Sequence, residues 1–201
     1  MEQTLGSGRI DAVRAAVVAA TQDELIDHGL DALSVEGVAR RAGLPEHEIT
    51  EQWADADDLM ELMLEEFAEH VLVLPNSGTL ETDMRALAAG IAAFYNEPRP
   101  RAAISALFHA AGRSERGADT LRRFFEHRTA RAAGPVRRAI ANGELPPDTD
   151  PVEVIRALGA PFYYRMFVTL EPLDDALPDR AAAAALVAAR AGVLTTSRVD
   201  G

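Results

Sequence analysis

The chain has 201 residues, 48% of them apolar and none of them cysteine, with a formal net charge of −12 and a mean hydropathy of −0.06. That length and apolar content suffice for a core that removes about 70% of the unfolded surface from water, while the missing cysteines exclude a disulfide framework and any thiolate metal site. The opening MEQTLGSG has neither the basic nor the apolar region of a leader, and no 18-residue apolar stretch occurs, so a cytoplasmic chain with no membrane partner is expected.

Apolar residues recur at spacings of three and four without sustained alternation, so every expected element is a helix. The first runs from about Arg9 to His28 with Ile10, Val13, Val17 and Ala20 facing inward, and Gly29 stops it. Ser34 caps a short second helix whose apolar face is Val35, Val38 and Ala39. Ala42-Gly43-Leu44 then makes a tight turn in which Gly43 takes the left-handed conformation. Pro45 is expected in the first turn of a third helix, anchored by Ile49 and Trp53. This arrangement reads as a helix-turn-helix, with the third helix as the one that enters the major groove. Asp55 caps a fourth helix with Asp58 at its third position, and Leu59, Met63, Phe67 and Val71 share one side until Pro75.

Pro75-Asn76-Ser77-Gly78 is the clearest boundary along the chain. Beyond it a helix is expected from Thr79 to about Tyr95, broken at Pro98 and Pro100, then another from about Arg101 to Ala111, broken near Gly112. A longer helix covers about Ala118 to Ala141 with Gly134-Pro135 as a kink. In the linker GELPPDTDP, Asp150 caps the helix that Pro151 opens; that helix contains Pro161 and ends near Leu170. The last helix, about Pro178 to Leu194, is nearly all alanine and valine on one side. The division expected is residues 1–54 as a head, 55–74 as a connecting helix and 75–201 as a C-terminal domain.

Charge complicates the reading of the head. Residues 1–70 carry four arginines against 17 acidic residues, a net −13, whereas residues 71–201 carry 16 against 15. Affinity for duplex DNA comes largely from cations placed on phosphates. Glu46, Glu48 and Glu51 fall on the helix meant to enter the groove. One glutamate can accept from cytosine N4, but three without a flanking lysine oppose approach. The residues that would meet DNA are Ser34, Arg40, Arg41, Pro45, His47, Thr50 and Gln52, with His47 the only near-cation on the helix that enters the groove. Arg40 and Arg41 fit either phosphate contacts or compensation of a helix dipole. Asp55, Asp57, Asp58, Glu61, Glu65, Glu66 and Glu69 read as a solvated face or as a docking surface for a basic protein partner.

Nine of the 11 aromatic residues lie between Phe94 and Phe167. The rings either fill a core or enclose an apolar cavity. In the second case Phe94, Tyr95, Phe108, Phe124, Tyr164 and Phe167 would surround a largely apolar small molecule, with His109, His127 and Arg165 as its polar partners. No HxxxH, paired-carboxylate, Ser-His-Asp or phosphate-loop spacing appears, so no catalytic residue, metal or cofactor is assigned.

Gly29, Ser34-Val35, Val38-Ala39, Ala42-Gly43-Leu44, Trp53 and Leu59 fall in register on the head of the TetR/AcrR family of bacterial repressors, which the chain resembles. The run from GELPPDTDP through GAPFYYR is similar to a segment of one branch of TetR-type ligand-binding domains, so the resemblance extends over nearly the whole chain. It departs at Thr50, Gln52 and Ala56, where the family usually has a tyrosine, a histidine and a phosphate-contacting lysine. The resemblance implies an all-α fold, a three-helix head before a helical ligand-binding and dimerisation domain, and ligand-responsive transcriptional regulation. It also implies a homodimer through the last two helices. Ala181 to Ala185, Leu186, Ala188, Ala189 and Val193 suit that pairing because small side chains permit close approach, although the same helix could pack inward. The competing expectation, drawn from the acidic head, is a protein of this fold that no longer binds DNA and acts through a small molecule, pocket chemistry or a protein partner.

Overall fold

A computed structural model describes residues 2–70 and 75–196, and among them every regular element is helical. In chain order these are α1 (Glu2–His28), a 3-10 turn (Leu30–Ala32), α2 (Val35–Ala42), α3 (Glu46–Thr50), α4 (Ala56–His70), α5 (Leu80–Asn96) and α6 (Pro98–Ala111). They continue with α7 (Glu115–Ala132), α8 (Gly134–Ala141), α9 (Pro151–Tyr164), a π-helical turn (Arg165–Thr169) and α10 (Leu177–Arg190). Two compact units form, one from residues 1–70 with 97–124, the other from 71–96 with 125–201. Contacts therefore group the chain differently from a linear division, since α6 and the first half of α7 pack with the head.

In the first unit α1 packs on α2, α4 and α6 through Val17, Val18, Ala20 and Leu25. Ile10, expected inward, is 59% exposed, so the buried face of α1 begins about two turns later. The Ser34 hydroxyl accepts the Gly37 N–H at 3.1 Å to start α2, and Gly43 at φ 68° ends it. Pro45 is the N-cap of α3 and not part of its first turn, with Ile49 fully buried behind it. At α4, Asp55 accepts the Asp58 N–H at 2.9 Å and Asp58 accepts the Ala54 N–H at 2.7 Å, so two otherwise unmet donors find carboxylates. Leu59 and Met63 are fully buried below this cap, while Val71 lies outside the described residues.

The prolines behave differently from one another. Pro98 and Pro100 were expected to break the chain, yet α6 begins at Pro98, because a first-turn residue needs no hydrogen-bonded N–H. Pro135 does interrupt: its ring would press on the carbonyl one turn earlier, so the expected kinked helix is two helices that meet at Ala133. Pro161 is accommodated inside α9.

In the second unit α10 lies against α5 and α9 with Ala181, Ala182, Ala185, Leu186 and Ala189 buried. Its other side, with Ala183, Ala184 and Val187, is exposed. Helix α10 ends at Arg190, a turn before the expected Leu194, and the chain then bridges back, Asp150 N–H donating to the Leu194 carbonyl at 2.8 Å.

Asp83 on α5 ties this unit together. Burial raises its carboxyl pKa, but the Ser77 N–H at 2.8 Å, the Ser77 hydroxyl at 2.7 Å and Arg138 of α8 at 3.1 Å outweigh that and hold it below the ordinary range. Arg138 also donates to the Pro75 carbonyl at 2.8 Å. Asp83→Ala is expected to destabilise the unit by about 1.5–3 kcal/mol, the net worth of hydrogen bonds to a charged group, because the buried carboxylate that Ser77 and Arg138 share is lost. A depressed folded pKa contributes stability above the unfolded carboxyl's value of about 4 and loses it as pH falls through the folded one. Urea unfolding should therefore separate the two proteins near neutral pH and bring them together on acidification.

Candidate functional site

All seven residues expected at DNA, Ser34, Arg40, Arg41, Pro45, His47, Thr50 and Gln52, lie at the surface of the head. Their polar groups are partly committed. Ser34 caps α2, and the Thr50 hydroxyl donates to the His47 carbonyl at 3.3 Å. Arg41 donates from Nε to Glu24 and from a terminal nitrogen to Asp27, both at 2.8 Å, and these two hydrogen bonds hold its pKa above the ordinary value. Arg40 lies 3.7 Å from Glu36 in an open pair of the kind that contributes little. On α3 Glu46 is exposed and Glu48 half-buried, and Glu51 at its C-cap is exposed, so the helix that would enter the groove presents carboxylates there.

The acidic start of α4 is matched by arginines from α7. Arg116 pairs with Asp58, with Asp55 at 3.2 Å and with Asp57 and Glu61 at 3.8 Å. Asp58 is held below the usual carboxylate range, first by the Ala54 N–H and then by Arg116. Glu61 also accepts from Arg123 at 2.8 Å and from Thr120 at 3.1 Å, and Arg14 lies 3.2 Å from Glu65. Elsewhere in the unit Arg113 meets Asp31 at 2.6 Å and Arg99 meets Asp23 at 2.8 Å. The acidic run is thus a cross-linked face from Asp55 to Glu65; the Glu69 side chain lies outside those described.

The residues expected around a ligand are drawn from both units. Phe108, His109 and Phe124 belong to the first unit, while Phe94, Tyr95, His127, Tyr164, Arg165 and Phe167 belong to the second. His109 is exposed, 3.6 Å from Asp31 and 3.3 Å from Arg113. His127 is exposed as well, and Tyr164 is 57% exposed. Arg165 holds Asp174 at 2.6 Å and Glu171 at 3.5 Å.

What the second unit does assemble is a polar-aromatic cluster from α5, α7 and α9. The Tyr95 and Tyr163 hydroxyls share a hydrogen bond at 3.2 Å, and their rings meet edge-on at 5.7 Å. Phe125 stands edge-on to Tyr163 at 5.0 Å, and the Arg128 guanidinium lies 5.2 Å from the Phe94 ring centre, within cation–π range. Burial pushes both phenol pKa values up, that of Tyr163 much further, while the positive charge of Arg128 acts against it. Tyr163 and Arg128 were absent from the expected site. A signal for Arg128 existed: Phe124, Arg128 and Ala132 recur at i+4, which puts an arginine on a buried stripe.

A second feature of this unit is an open concavity of about 690 Å³ between α9 and α10, lined by Pro161, Tyr164, Arg165, Arg180, Ala181 and Ala184 among others. Two of its lining residues, Arg165 and Arg180, donate to Asp174 and hold that carboxyl at about 2. Val187 on α10, Val168 in the π-helical turn and Leu170 just after it are also exposed. Leu170 ends the π-helical turn at φ 55°, a conformation uncommon for leucine. Among the described residues no helix is long and apolar enough to cross a membrane, and no cluster of acids and histidines is arranged to hold a metal.

Residues 74–185 match the family model described as the C-terminal domain of tetracyclin repressor-like proteins. An uncharacterised HTH-type transcriptional regulator of Bacillus subtilis (strain 168), YdeS, is 28% identical over 177 residues, which span 87% of this chain and 88% of that protein. Among solved structures the TetR family transcription regulator SCO0332 is 26% identical with a TM-score of 0.70, covering 87% of this chain and 97% of its own. SmeT in complex with triclosan has a TM-score of 0.66 at 20% identity, over 94% of this chain and 98% of that one, a likeness of fold.

Proposed function

We propose that this chain, which belongs to the TetR family of helix-turn-helix transcriptional regulators, is a ligand-responsive homodimer whose head engages duplex DNA weakly. The observation that carries the weak-head reading is the state of its cations. Both arginines of α2 face carboxylates, Arg41 at 2.8 Å, while α3 and its C-cap present Glu46 and Glu51 outward. A phosphate approaching such a surface meets repulsion that neighbouring cations do not offset, because screening is incomplete within about 8 Å at physiological salt.

Dimerisation is supported by the exposed apolar side of α9 and α10, and a ligand site in the C-terminal unit by the cluster of Tyr95, Tyr163, Phe94, Phe125 and Arg128. These groups suit a mostly apolar molecule with one hydrogen-bonding group. Of the residues first expected around it, Phe94 and Tyr95 remain the proposed contacts within this cluster. The same acidic head favours a second reading, in which the protein binds no operator and acts through the small molecule or a protein partner alone.

Selection from a pool of random duplexes, followed by anisotropy titration at physiological salt, tests the proposal. Binding no tighter than about micromolar, the range of non-specific association, is expected. A nanomolar, sequence-specific complex would overturn the weak-head reading, and failure to enrich any sequence would favour the second.

A further inference from the structure

We propose that Glu24 and Asp27, on the last turns of α1, act as an internal substitute for DNA phosphate that withholds Arg41 from the duplex. The inference rests on the reading of a weak head and names the contact responsible. Arg41 stands in the last turn of the first helix of the helix-turn-helix, the helix that crosses the sugar-phosphate backbone in this kind of module. Its guanidinium is split between two carboxylates at 2.8 Å, with the side chain still 30% exposed.

The two acids differ in how they are held. The Glu24 side chain is only 6% exposed, and His28 lies 3.2 Å from its second oxygen. That same oxygen packs where α2 has Gly37, since a Cβ there would stand 3.2 Å from it. The carboxylate is therefore fixed between α1 and α2, and the pair opens only when Arg41 swings away. Asp27, half exposed, closes the other side of the guanidinium. A phosphate that engages Arg41 must displace two charged acceptors at once, and charge-assisted hydrogen bonds of this kind are the stronger class.

A cycle of variants tests this without knowledge of an operator. The full-length protein, Glu24→Gln/Asp27→Ala, Arg41→Gln and the triple variant are titrated against a fluorescein-labelled random-sequence duplex between about 50 and 200 mM salt. Opening the clamp is expected to tighten binding at least about fivefold at physiological salt and to steepen the log K against log salt slope by about 0.9 for each phosphate gained. Both changes should vanish when Arg41 is also replaced. Glu24→Gln keeps the buried volume, and Asp27→Ala alone, at an exposed position, should show a smaller gain in the same direction on a chain of unchanged circular dichroism. A gain that persists without Arg41 would be a general effect of net charge and would overturn the clamp, as would equal slopes for all proteins. Nanomolar binding by the unsubstituted chain overturns the weak-head reading alone, because the difference between the arms of the cycle still reports the clamp.

Discussion

Ala184→Glu is expected to turn a dimer into monomers while leaving each chain folded, whereas Ala185→Glu, one residue on, is expected to unfold it. Ala184 is exposed and lines the concavity between α9 and α10. Ala185 is 1% exposed beneath it, where α10 lies against α5 and α9. A glutamate at 184 remains solvated in the monomer and loses water only when a second copy covers it. An uncompensated buried charge costs several kcal/mol, so about 3 kcal/mol would weaken association by some two orders of magnitude. At 185 the same cost falls on folding itself, and total stability is only about 5–15 kcal/mol. Sedimentation velocity and circular dichroism separate the outcomes. Ala188, half-buried, should respond at both levels. A monomer before any substitution would remove the premise of dimerisation through this face.

Gly117→Ala is expected to destabilise the first unit by at least about 2 kcal/mol, against the usual sign of that exchange, since alanine in a helix is ordinarily favoured over glycine, by up to about 1 kcal/mol. Here an added Cβ would stand 2.4 Å from the Ala110 carbonyl oxygen and 2.5 Å from its carbon. Both are backbone atoms at the end of α6, and neither can rotate away as a side-chain tip would. The corner between α6 and α7, where the Ser114 hydroxyl accepts the Gly117 N–H at 3.0 Å, must open to admit the methyl group. Arg116 projects from this corner onto the acids of α4, so its ion pairs should weaken together with the packing. The melting temperature should fall by roughly 4–8 °C for a chain of this size. An unchanged or higher value would mean that the corner relaxes at little cost.

The element boundaries were legible where a short-range hydrogen bond decides them. Ser34 caps α2, Asp55 caps α4 and Asp150 caps α9, accepting from Val152 and Glu153, and each cap uses partners no more than three residues away. Gly43 ends α2 for an equally local reason, the sign of one φ angle. Proline was harder. Its missing N–H matters only if a carbonyl one turn earlier needs it, so Pro98, expected to break the chain, opens a helix, and Pro135, expected only to kink one, divides it. The family was legible too, because the head and the GELPPDTDP linker are contiguous patterns.

What the sequence by itself determined, then, was an all-helical chain of this family with carboxylates on its reading helix. Only the tertiary structure decided how those charges are balanced. A count over residues 1–70 sees four arginines, yet Arg99, Arg113, Arg116 and Arg123 reach the same unit from some 60 to 80 positions away and pair with Asp23, Asp31, Asp55 and Glu61. The cluster of Tyr95, Tyr163, Phe125 and Arg128 arose in the same way, from three helices that share no local pattern. The physical reason is range. Capping and φ preference act over one helical turn and can be read along the chain, whereas ion pairing and burial depend on separation in space, which packing alone assigns.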